Sequence, residues 1–242
     1  MVTVIGDLRT VPAWVDAVLE IQPAPPTETI VVTGALAAVA VVAPGLWPRT
    51  RHLLTIAHEG GHAVMALLTG RRLAGIRLHS DTSGLTVSVG RPTGFGMVVT
   101  LLVGYVTPSA LGLAAAATLA AGRVSAMLWG ILLLLAGVLL QIRNFFGFGL
   151  LLVTGSTVLA VSYLAPDDVQ ALFGFLIAWF LLLGGIRPVL ELARARRRTR
   201  ARTSDADQLA RLTGVPAVLW VGVFFAATVA MALLGSRLLL PV

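Results

Sequence analysis

The chain contains no cysteine and no lysine, and a single asparagine, Asn144. Without cysteine there is no disulfide framework and no thiolate metal site, so any metal must be held by histidine and carboxylate. Without lysine, all 18 basic residues are arginine. Charge of either sign is scarce, at 12% of 242 residues, against a 57% hydrophobic fraction and a mean hydropathy of +0.91. That balance leaves no room for a large soluble domain and describes one polytopic membrane bundle. The net charge of +7 is not a nucleic-acid signal, because the arginines flank apolar spans, as topology requires.

What is present is one concentrated motif, His58-Glu59-Gly60-Gly61-His62, inside an apolar run. Positions four apart lie on one helix face, about 5–6 Å apart at Cβ, so His58 and His62 can pinch one metal ion. Glu59 stands beside them, placed to handle the proton of an activated water rather than to bind metal. Ionisable groups at membrane depth are costly and mark functional sites. Gly60 and Gly61 each cost a helix about 1 kcal/mol relative to alanine, and let a substrate or another backbone come close.

Around the motif, the sequence predicts an all-α polytopic membrane protein of about seven spans with a small β-hairpin after the metal helix. Residues 1–29 form an interfacial segment, with Leu8, Val11, Val15, Val18 and Leu19 at helical spacing and no signal-peptide pattern. A single transmembrane domain follows over 30–238. Its spans are expected near 30–47, 50–70, 96–121, 124–140, 145–164, 169–186 and 216–234. Within 72–91, apolar residues alternate at period two on either side of Ser80-Asp81-Thr82-Ser83-Gly84, a turn-forming cluster. A strand edge there can hold an extended peptide.

The loops favour a cytoplasmic N-terminus, with the arginine-rich loop 187–203 also cytoplasmic and in contact with anionic lipid. Arg49, Arg51 and Arg123 sit against that assignment. The expected location is a bacterial plasma membrane.

Catalytic zinc takes three protein ligands, and two histidines leave one missing. The carboxylates on the expected side are Asp205 and Asp207, just after Ser204, which reads as a helix N-cap. Residues two apart on a helix point about 200° away from each other, so one of them, not both, faces the metal.

The early His58–His62 motif, a hairpin, and a late aspartate together resemble the site-2 protease family of intramembrane zinc metalloproteases. Ser204-Asp205-Ala206, with Leu209-Ala210, Pro216 and Trp220, resembles a bacterial and fungal branch of that family. The resemblance covers about residues 50–112 and 200–222. It implies that zinc is held by His58, His62 and Asp205. Better-known members carry Asp-Gly at this point, with an upstream Asn-Pro pair, whereas Asp205 is followed by Ala206.

The resulting expectation is a zinc-dependent endopeptidase acting on membrane-embedded or membrane-adjacent peptides, with Glu59 catalytic. Gly60, Gly61, Tyr105 and Asn144 are candidate substrate contacts. Two rivals remain. One is an ion or proton transporter using the same His/Glu cluster, and the other a metal-binding scaffold without turnover. No internal repeat and no second buried charge along a pathway supports the transporter.

Overall fold

The structure is a computed structural model that describes residue 18, residues 20–198 and residues 203–240. The expected interfacial helix through Leu8, Val11, Val15 and Leu19, and the arginines at 200 and 202, lie outside the described residues. Among the described residues, nine helices and two strands follow in order. They are α1 (Thr27–Val42), α2 (Trp47–Leu68), β1 (Arg72–Leu78), β2 (Gly84–Val89), α3 (Phe95–Ala120) and α4 (Val124–Gln141). Then come α5 (Phe145–Leu164), α6 (Asp167–Gly184), α7 (Ile186–Arg198), α8 (Asp205–Thr213) and α9 (Ala217–Leu239).

Five helical runs are long and apolar enough to cross a membrane, or six if α1 and α2 count as one broken span, rather than the seven expected. The difference lies at the first two. α1 ends at Val42, where Pro44 and Gly45 stop it, and α2 starts at Trp47 with Pro48 in its first turn, leaving a 100° bend. α2 carries Arg49, Arg51, His52, His58, Glu59 and His62, which dilute its apolar character. At the other end, α6 and α7 run on as one helical stretch from Asp167 to Arg198, which holds a single apolar window and so counts as one span.

The main core joins α1, α3, α4 and α6 around Ala37, Ala116, Leu128, Ala178 and Leu182. A second cluster, centred on Leu209 and Phe224, ties α8 to α3, α7 and α9. Burying a leucine such as Leu209 contributes about 1.5–3 kcal/mol. This cluster anchors α8, a nine-residue helix too short to persist alone.

The strands pair antiparallel, with an irregularity between Leu73 and Gly75. The far edge of β1 is taken by the α4–α5 connection, where Arg143 N–H donates to the Ile76 carbonyl at 2.9 Å. Gly84, Thr86 and Ser88 of β2 are half-buried, while Leu85, Val87 and Val89 are exposed. The small and polar side of β2 therefore packs inward against α2.

Candidate metal centre

α2 sets His58 and His62 one turn apart, as their spacing requires, with Nε2 atoms 3.0 Å from each other. Oδ2 of Asp205 lies 3.3 Å from each of those nitrogens. Ligand atoms held about 2.0–2.1 Å from a tetrahedral zinc stand about 3.3 Å apart. The donor triangle thus has the size and the nitrogen–oxygen chemistry of a three-ligand zinc site. Among the described residues it is the one His/Asp/Glu group gathered tightly enough to hold a metal ion.

Asp205 reaches the triad because α8 is fixed at every point. Ser204 caps it, accepting from the Asp207 N–H while the Asp207 carboxylate accepts from the Ser204 N–H, a reciprocal capping box. Asp207 also pairs with Arg196 of α7. Ala206 and Leu209 are fully buried, and Gly214 closes the helix in the left-handed conformation. The two aspartates therefore diverge as helical geometry dictates, Asp205 to the histidines and Asp207 to Arg196.

The imidazole of His62 is oriented from its other side. Nδ1 lies 2.6 Å from the carbonyl oxygen of Thr100. A carbonyl can only accept, so Nδ1 carries the proton and Nε2 presents its lone pair to the triad. Gly104, one turn further along α3, makes room for both rings. A Cβ there would sit 2.5 Å from Cε1 of His62 and 2.8 Å from Cε1 of His58.

Glu59 is buried and does not join the triangle. Its Oε2 accepts from the Thr86 hydroxyl at 2.6 Å. Oε1 faces Gly84, where a Cβ would approach within 2.5 Å. Glu59 and His58 line a cavity of about 240 Å³ together with Arg51, Thr55, Tyr105 and the Thr82–Gly84 turn. A slightly larger hollow, about 290 Å³ between Arg77, Val87 and Arg143, lies on the sheet's outer side and shares no residue with the triad.

The four candidate substrate contacts fall in different places. Tyr105 stands edge-on to His58, ring centroids 4.8 Å apart, and stacks on Phe224. Gly60 and Gly61 are buried under neighbouring helices: a Cβ on Gly60 would lie 3.2 Å from Val138, and one on Gly61 would overlap Thr107. Their smallness lets α3 and α4 pack closely on α2. Asn144 is 66 residues from Leu78 and clamps its backbone, donating to the carbonyl at 2.7 Å and accepting from the N–H at 3.1 Å. It makes no side-chain cap on α5.

Sequence reading missed Thr86, Gly84, Gly104 and the Thr100 carbonyl. The alternation of β2 placed Thr86 on the face opposite Val87, which was the one available signal; the other three depend on how α3 and the hairpin cross α2.

A multi-pass helical membrane chain that closes an H-E-x-x-H helix with a distant aspartate is, by class, a membrane metallopeptidase. The chain belongs to the Peptidase M50B-like family, a site-2 protease family, whose model matches residues 31–235. No curated protein and no solved structure matches the chain.

Proposed function

We propose that this protein is a zinc-dependent intramembrane endopeptidase. The observation that carries the reading is the triangle of His58, His62 and Asp205, matched in size to zinc, with a buried carboxylate beside it that is left out of the ligand set. Zinc bound there supplies Lewis acidity, acidifying a water molecule and polarising a scissile carbonyl. Every other task falls to the chain. Glu59, its carboxylate held by the Thr86 hydroxyl, accepts the proton of the attacking water and delivers it to the leaving amine. Thr100 keeps the Nε2 of His62 free of hydrogen. A helical substrate must unwind locally, since a hydrogen-bonded helix hides its amides. The edge of β2 away from β1, beside Glu59 through Thr86, is the natural rest for the unwound segment.

The substrate is a membrane protein or membrane-bound peptide, and the arginine-rich end of α7 contacts anionic lipid from the cytoplasmic side. Purified protein in proteoliposomes, loaded with zinc and given a panel of single-span fluorogenic substrates, tests the reading. Cleavage that is lost in Glu59→Gln supports it. Ion flux without cleavage points to a transporter, and stoichiometric zinc without either activity points to a scaffold.

A further inference from the structure

The cavity beside the triad has a direction. Arg51, Thr55, His58 and Glu59 all line it, and their spacing of three or four residues puts them on one face of α2. The cavity is therefore a groove running from the metal ligands toward the start of α2, with the Thr82–Gly84 turn on its opposite side.

At the far end of that groove stands an incompletely neutralised cation. Nη1 of Arg51 lies 3.4 Å from Oε2 of Glu191, and its side chain keeps 38% of its exposure. The same carboxylate also serves Arg187, whose Nε is 3.2 Å from Oε1, and Trp47, whose indole N–H donates at 2.8 Å. Two guanidinium groups thus share one carboxylate. Arg187 is spent elsewhere, on the Val41 carbonyl and over the Trp47 ring at 4.4 Å. Arg51 is the one that lines the groove, and among the described residues Glu191 is its one ion-pair partner. Glu59, the groove's own carboxylate, lies eight residues further along α2, about 12 Å at 1.5 Å per residue, so at the Arg51 end a partly desolvated positive charge attracts an anion more strongly than it would in open water.

The distance fixes where that anion sits. Seven helical residues separate Arg51 from His58, about 10.5 Å along the axis at 1.5 Å per residue. An extended peptide covers about 3.3 Å per residue, so a chain laid in the groove reaches Arg51 about three residues from the triad. The geometry points to Arg51 as a specificity residue that binds a substrate carboxylate about three residues from the scissile bond. This rests on the endopeptidase reading. The carboxylate has two chemical sources, an Asp or Glu side chain or the free C-terminus of a short substrate.

The test uses full-length protein in detergent micelles and a set of ten-residue fluorescent peptides. A neutral reference peptide is compared with versions in which one Glu is walked along the sequence, each made with a free and with an amidated C-terminus. Binding is read by fluorescence anisotropy on the Glu59→Gln protein, and cleavage by mass spectrometry on the unmodified protein. The expected result is a preference of about tenfold for Glu over Gln, peaking about three residues from the cleaved bond. Arg51→Gln reduces that ratio to about one, and Arg51→Glu inverts it in favour of an Arg-bearing peptide. A gain that follows the free terminus rather than the Glu assigns the C-terminal carboxylate as the ligand.

If Arg51 only supported Glu191, its variants would weaken all peptides alike and leave the ratio unchanged, which overturns the proposal. Cleavage without any charge preference also overturns it while leaving the peptidase reading intact. Arg51-dependent binding of acidic peptides with no cleavage by the zinc-loaded protein does the reverse.

Discussion

The hydroxyl of Thr86 donates to Oε2 of Glu59 at 2.6 Å, and it also lies 3.1 Å from the backbone carbonyl of the same residue. One strand side chain thereby fixes the position of the carboxylate beside the His58–His62–Asp205 triangle. Thr86→Val is expected to lower kcat about ten- to a hundredfold with zinc content unchanged, and Thr86→Ser to restore most of it. A merely structural threonine would give the same loss in both variants. Turnover and zinc content measured on the two proteins separate the cases.

Glu59→Gln is expected to keep near-stoichiometric zinc and to lose proteolysis, because in the proposed mechanism the carboxylate moves a proton, and it is not in the donor triangle. Metal analysis alongside the activity assay checks this. Zinc loss as large as that of His58→Ala would make Glu59 a ligand instead.

Asp205→Ala should empty the site and abolish cleavage, since it removes one of three donors. Asp207→Ala should keep zinc but loosen α8, because it breaks the capping box and leaves Arg196 without its carboxylate. The expected cost is about 1–3 kcal/mol. Hydrogen exchange across residues 205–213, together with metal analysis, distinguishes the two roles.

Gly104→Ala places a methyl group against both imidazoles and is expected to lower zinc affinity at least about tenfold, with little change in expression. Gly130→Ala is the control, since nothing lies within 4 Å of the position its Cβ would take. Equal zinc affinity in the two variants would show that the rings have room to move.

Chelation should abolish activity and lower the melting temperature, and added zinc should restore both, because a ligand that binds the folded state stabilises it. Falling pH acts in the same sense. Histidine must be neutral to bind metal and ordinarily titrates near 6.5, so bound zinc is expected to fall below about pH 6. Zinc fully retained at pH 4 would speak against a ligand set built on two histidines.

The sequence by itself determined the membrane class, the pairing of His58 with His62, and the choice between two aspartates as an either–or. All three follow from local rules: apolar composition, a 3.6-residue period, and the opposite facing of positions two apart. The S-D-A resemblance pointed to Asp205. The structure places Asp205 at the histidines and Asp207 at Arg196, and the reason is tertiary, namely the burial of Ala206 and Leu209 beneath α7 and α9.

The span count was less legible. Whether α1 and α2 are two spans or one broken span depends on the 100° bend between them, which Pro44, Gly45 and Pro48 permit but do not set. The surroundings of Gly60, Gly61 and Asn144 were not legible either. A glycine reads the same in a sequence whether a substrate or a helix lies above it, and the partner of Asn144 is 66 residues away. The sequence carried what depends on a residue's own neighbours along the chain. Contacts such as Thr86 with Glu59 and Thr100 with His62 arise where separate elements cross, and only packing decides those crossings.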